Sequence, residues 1–185
     1  SLFAELFQCR LSGTKAPPDQ RRAFVRNLAS LGDRERIRCA GIALDGLLKG
    51  HHFISMSDFD FGARSRGWGW QPATYGDLCD WYAHAIDLAI ELSPVIPDVR
   101  DRVADSIRDW WRLPGCHDAV ERTAVHFGGE KPWIEGWHAL RATRQFDGDQ
   151  MPDAARRRLE GLIDRLKPTD LLNWARASVL GRDGG

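Results

Sequence analysis

Thr74-Tyr75-Gly76-Asp77-Leu78-Cys79-Asp80-Trp81-Tyr82-Ala83-His84-Ala85-Ile86-Asp87-Leu88-Ala89-Ile90-Glu91-Leu92, followed by Ser93-Pro94, carries the clearest periodicity in the chain. Leu78, Trp81, Tyr82, Ala85, Ile86, Ala89 and Leu92 recur at steps of three and four, the spacing that lines one face of an α-helix. Thr74 with Asp77 three residues on forms a capping box in which a short acid replaces the usual Glu. Ser93-Pro94 supplies the stop, because the residue before a proline is pushed out of the helical region.

The same grammar extends in both directions. Upstream, Pro17-Pro18 opens a helical stretch in which Phe24, Val25 and Leu28 keep the rhythm to about Leu31, and Gly32 ends it. Asp33 is an N-cap with Glu35 in the first turn, and Ile37, Ala40, Leu44, Leu47 and Leu48 form one apolar stripe up to Gly50. These two helices are expected to form a hairpin. Downstream, Pro97-Asp98 starts a helix carrying Val99, Val103, Ile107, Trp110 and Trp111, which stops near Pro114-Gly115.

Shorter helical patterns follow from Cys116 to Phe127 and from Pro132 to Phe146, with Gly128-Gly129 read as a turn between them. Leu159, Leu162, Ile163 and Leu166 then share a face before Pro168, and Leu171, Leu172, Trp174 and Ala175 follow a Thr169 cap. Sustained period-two alternation is missing. The expected class is all-α, with helical hairpins in an irregular bundle or a short HEAT-like array, since helix pairs recur at about 40 residues.

Length and composition agree with one domain over residues 1–185. A chain of this size buries roughly 70% of the surface that its unfolded form exposes. The opening Ser1-Leu2-Phe3-Ala4-Glu5-Leu6-Phe7 has helical apolar spacing and no initiator Met, which suggests a domain excised from a longer chain. Residues 181–185 read as a flexible polar tail.

Lys plus Arg and Asp plus Glu number 26 each, so no net field draws the whole domain onto nucleic acid or an anionic membrane. Any such contact has to be local. Runs such as Arg156-Arg157-Arg158 read as a solvated helix face. Cys9, Cys39, Cys79 and Cys116 are widely spaced, with no CxxC pair, which points to reduced thiols packed as small hydrophobes in a cytoplasmic protein. No run approaches the roughly 20 apolar residues of a membrane span, and no cofactor motif is present.

Residues 51–72 are the unusual passage: a connection longer than the roughly 12–15 residues at which loops become functional or disordered. Phe53, Phe59, Phe61, Trp68 and Trp70 argue for order. Three readings of this loop stand side by side. Asp58 or Asp60 can pair with Arg64 or Arg66 to fix the loop across the helices. Arg64, Arg66, Trp68 and Trp70 can form a recognition surface, since Arg and Trp are favoured at interface hot spots. His51, His52, Asp58 and Asp60 offer the imidazole and carboxylate mixture of a divalent-metal hydrolase, although the spacing fits no specific metal motif.

Asp58-Phe59-Asp60-Phe61-Gly62-Ala63-Arg64-Ser65-Arg66, with Gly67-Trp68-Gly69-Trp70 and the helix of Trp81-Tyr82, resembles helical accessory regions of large bacterial multidomain proteins that carry P-loop ATPase or defence-type effector domains. The resemblance implies a sensing, scaffolding or oligomerising module. With no Walker motif here, it implies that any ATP hydrolysis belongs to another part of such a protein, and it carries over no catalytic residue. The reading taken forward is a non-catalytic protein-binding or regulatory module. Its binding candidates are Asp58, Asp60, Arg64, Arg66, Trp68 and Trp70, and its expected partner is another protein or flanking domains of the same chain. Nucleic acid is a weaker option through the same Arg and aromatic side chains.

Overall fold

The computed structural model describes residues 1–10, 12, 14–50 and 70–170. Among these residues the chain is all-helical and has no strand, with eight α-helices packed together. They are α1 (Leu2–Glu5), α2 (Pro18–Ser30), α3 (Arg34–Leu48), α4 (Tyr75–Leu92), α5 (Val99–Trp111), α6 (His117–Glu130), α7 (Ile134–Asp147) and α8 (Asp153–Leu166). Single 3₁₀ turns at Pro114–Cys116 and Gly148–Gln150 link α5 to α6 and α7 to α8.

The helix starts follow their caps. Asp33 accepts from the Arg36 amide at 2.9 Å, and the Thr74–Asp77 capping box is complete in both directions. α4 packs against α2, α3, α5 and α6. It accordingly buries Cys79 and Leu88 beyond the single stripe read from the sequence, as a helix surrounded by neighbours must. α5 in turn touches α3, α4, α6 and α7. Each of these helices meets those one and two places away along the chain, a connectivity that an irregular bundle and a short array of hairpins share.

The C-terminus of α3 lies inside the core, where its last carbonyls have no helical partner. Aromatic donors from the two central helices satisfy them. Trp81 Nε1 donates to Leu47 O at 3.0 Å, Trp110 Nε1 to Leu48 O at 3.1 Å, and Tyr82 Oη to Lys49 O at 3.2 Å. Gly50 follows at a point where a Cβ would lie 2.4 Å from Cβ of Asp109, so the close approach of α3 to α5 requires a glycine there.

Two expectations are corrected. Gly128-Gly129 is no turn: α6 runs through both glycines and ends at Glu130, before Pro132. A Cβ at Gly128 would sit 2.4 Å from Cδ2 of Leu166, so this glycine admits α8 against α6 rather than breaking the helix. In α2 the buried face is Arg21, Val25 and Ala29, whereas Phe24 is left 48% exposed.

Arg21 is only 3% exposed and acts as the hub of the amino-terminal region. Its guanidinium donates to Gln8 O at 2.7 Å, Ala16 O at 2.8 Å and Thr14 O at 3.3 Å. It also lies 5.3 Å from the ring centre of Trp81 and 5.9 Å from that of Trp70. Backbone dipoles and two indole faces thus solvate the charge in place of water.

Candidate binding groove

α7 is brought beside α5 by contacts at their amino-terminal ends. Arg100 donates to the carbonyls of Lys131 and Pro132 at 3.1 and 2.9 Å, and Trp133 Nε1 returns a bond to Arg100 O at 3.2 Å. Trp133 is fully buried, and Gly136, one turn further on, leaves room for its ring. The other end is closed by Asp147. Arg108 grips this carboxylate at 2.8 Å through two nitrogens, and Arg112 adds bonds at 3.2 and 2.9 Å. These guanidinium hydrogen bonds hold the Asp147 carboxyl well below the usual carboxylate range. With both ends fixed, α5 and α7 run side by side in the same direction.

Between them lies a groove of about 370 Å³, lined by Asp101, Ala104, Asp105 and Arg108 from α5 and by Glu135, His138, Ala139 and Ala142 from α7. The positions step by three and four along each helix, so each set forms one edge strip. The alanines make a shallow apolar floor. Asp101 and Glu135 stand in the first turns of their helices, where the helix dipole favours negative charge.

Crowding acts against that benefit. Burial, followed by repulsion from Glu135, Asp98 and Asp105, pushes the Asp101 carboxyl up, and burial with repulsion from Asp45 does the same to Asp105. Asp45 itself is ion-paired with Arg102. Asp101, Asp105 and Glu135 form no ion pair with any described residue. His138 packs edge-on against Trp137 at 5.1 Å, and its Nε2 is buried without a hydrogen-bond partner. Beside Arg108, whose guanidinium lies 4.9 Å from the Phe146 ring centre, Phe146 remains 62% exposed. The groove therefore gathers three carboxylates outside any ion pair above an apolar floor, with Arg100 and Arg102 the nearby cations that partly offset Asp101 and Asp105 and an exposed aromatic beyond the Arg108 end. That chemistry suits an organic cation on an apolar stem, such as a Lys or Arg side chain. Among the described residues no group of three or more His, Cys, Asp or Glu can hold a metal ion.

Of the residues singled out from the sequence, Trp70 is described: it is half-buried and stacked on Trp81, with ring centres 5.2 Å apart and planes at 21°. Its amide donates to Thr14 O, so the structure joins it to the Arg21 hub. Asp58, Asp60, Arg64, Arg66 and Trp68, and the metal set His51, His52, Asp58 and Asp60, lie outside the described residues, as does the helical pattern from Leu171. Asp101, Asp105, Glu135 and His138 were missed. The signal available was Asp98, Asp101 and Asp105 recurring beside the Val99, Val103, Ile107 stripe, but the parallel placement of α7 cannot be read from one helix.

No protein-family model, curated protein or solved structure matches the chain. No described helix is long and apolar enough to cross a membrane.

Proposed function

We propose that this chain is a non-catalytic, protein-binding helical module of a larger cytoplasmic protein, and that its α5–α7 groove receives a basic segment of the partner. The observation that carries this reading is the set of three carboxylates, Asp101, Asp105 and Glu135, that share one groove and form no ion pair with a described residue, the lining cation Arg108 being held by Asp147. A bound guanidinium or ammonium relieves their mutual repulsion, so part of the binding free energy is already stored in the unliganded fold. The alanine floor accepts the methylene stem of a Lys or Arg, which packs apolar carbon while its head stays polar. An accessory, partner-binding role is also what the resemblance of residues 58–82 implies.

The test is amide chemical-shift mapping with a hexa-arginine peptide as probe. A polycation is drawn to any local cluster of acids even on a chain of zero net charge, so the position of the shifts, and not binding itself, is the readout. Shifts concentrated on α5 and α7, around Asp101, Asp105, Glu135 and His138, are the expected result. Shifts spread evenly over the exposed acidic residues of all helices overturn the assignment.

A further inference from the structure

Gln20, Ala23, Phe24, Asn27, Ser30 and Leu31 recur along α2 at the three- and four-residue steps that form one helical stripe, and all six are exposed. None carries a charge. The exposed positions of α8, by contrast, include Arg157, Arg158, Asp164 and Arg165. Within the stripe Phe24 is 48% and Leu31 50% exposed, each next to a small residue, Ala23 or Ser30. A charge-depleted strip that presents an aromatic ring has the composition of an interface core and not of a solvated helix face. On one flank the Phe7 ring lies 5.9 Å from that of Phe24, and its neighbour Leu6 is 45% exposed. The other flank carries Asp19 in the first turn and, seven residues on, Arg26. The ion pair of Arg26 with Glu91 occupies Nε and Nη2 and leaves Nη1 unused.

We propose that this stripe joins two copies of the chain, α2 against α2 in antiparallel, about a two-fold axis at the level of Ala23 and Phe24. The order of residues along the stripe is what points to a second copy. Reversal about that level sets the Phe24 ring over Ala23 of the second copy, and Gln20 opposite Asn27 of the second copy, amide to amide. A two-fold axis across antiparallel helices brings like flanks together with their direction reversed. Asp19 therefore comes within a turn of Arg26 of the second copy, where Nη1 is unused, and the same pair forms again on the other side of the axis. Ring on small residue, amide on amide and acid on base make the surface self-complementary, as a two-fold contact requires. The 13 residues of α2 span about 20 Å, so one such helix pair lies at the small end of specific interfaces and the dimer is reversible. None of the residues lining the α5–α7 groove belongs to α2, so the inference stands independently of that site.

The experiment is disulfide trapping in a Cys39→Ser background, which removes the half-buried native thiol of α3 and leaves the buried ones. Ala23 lies beside the axis, so the thiols of Ala23→Cys in two copies approach one another. Ser30→Cys is the control: position 30 is equally exposed, but in this register it stands about 20 Å along the helices from its own copy. With oxidised glutathione, Ala23→Cys should run as a covalent dimer on a non-reducing gel and Ser30→Cys as a monomer. Sedimentation velocity of the wild-type chain from roughly 10 μM to 1 mM should show the average mass climbing from one copy towards two. Ala23→Arg sets two guanidiniums face to face at the axis at little cost in helix propensity, so it should stay monomeric with its melting midpoint within about 2 °C of wild type. A wild-type chain that remains monomeric throughout overturns the proposal. So does trapping of Ser30→Cys as readily as Ala23→Cys, or a dimer that Ala23→Arg leaves intact.

Discussion

Replacing Arg21 by Met keeps a long side chain against Trp70 and Trp81 but removes every donor. Of its three carbonyl partners, Thr14 O keeps the Trp70 amide, whereas Gln8 O and Ala16 O lose short bonds of 2.7 and 2.8 Å. Bonds to a charged donor contribute about 1.5–3 kcal/mol each, so two of them amount to roughly 4 kcal/mol. Loss of the cation–π contacts adds about 1 kcal/mol. Relief of the buried guanidinium's desolvation offsets part of this, leaving a net loss of about 3 kcal/mol. For a domain of this size that lowers the thermal midpoint by roughly 6–12 °C. Urea denaturation followed by tryptophan fluorescence measures it as a lower transition midpoint at unchanged slope. Arg21→Lys should lose at least half as much, because a single ammonium cannot span the divergent carbonyls. A loss below about 1 kcal/mol in Arg21→Met would refute the view that this cation organises the amino-terminal region.

Three further predictions concern the packing and charge that shape the groove. Gly136→Ala puts a Cβ 2.2–2.5 Å from the buried Trp133 ring and should cost about 2–4 kcal/mol, whereas Gly161→Ala on α8 meets nothing within 4 Å and should gain about 0.5–1 kcal/mol; thermal melts of the two compare them directly. Asp147→Asn should cost about 1–2 kcal/mol at pH 7, less than a fully buried pair, because both arginines can turn to water. The Asp147 pKa is lower folded than unfolded, so its contribution is present above the unfolded value of about 4 and fades as pH falls further; the wild-type and Asn stabilities should converge in acid. Asp101 and Asp105 have the opposite sign: their folded pKa values are raised, so ionisation destabilises the fold at neutral pH and protonation relieves it. Asp101→Asn/Asp105→Asn should therefore be more stable than wild type at pH 7, with the gain shrinking to nothing by about pH 3, as denaturation at stepped pH will show.

How much of this was legible in the sequence differs from element to element. The Thr74–Asp77 box, the Asp33 cap and the stripes of α3 and α4 are local signals, and local signals suffice where capping and burial agree. Gly128-Gly129 misled because a glycine pair is locally a breaker, while at Gly128 the approach of Leu166 gives glycine a packing role that no neighbour in sequence reveals. Phe24 and Arg21 exchanged roles for a similar reason. The apolar rhythm placed Phe24 inward, but the backbone carbonyls of Gln8, Thr14 and Ala16 converge where only a forked donor can satisfy them. The groove was least visible, since Asp101 and Glu135 are ordinary acids in helix first turns and Asp105 one on a mid-helix surface until α5 and α7 are laid in parallel.

The central claim is that these acids form one cation-binding groove. Fluorescence anisotropy of labelled hexa-arginine tests it directly, comparing wild type with the triple variant Asp101→Asn/Asp105→Asn/Glu135→Gln and with a control triple, Glu5→Gln/Glu35→Gln/Asp153→Asn, that removes the same charge elsewhere. A Kd at least tenfold weaker is expected for the groove variant, about 1.4 kcal/mol, and less than a twofold change for the control. Equal losses in the two triples would contradict it, because binding would then follow net charge and not the groove.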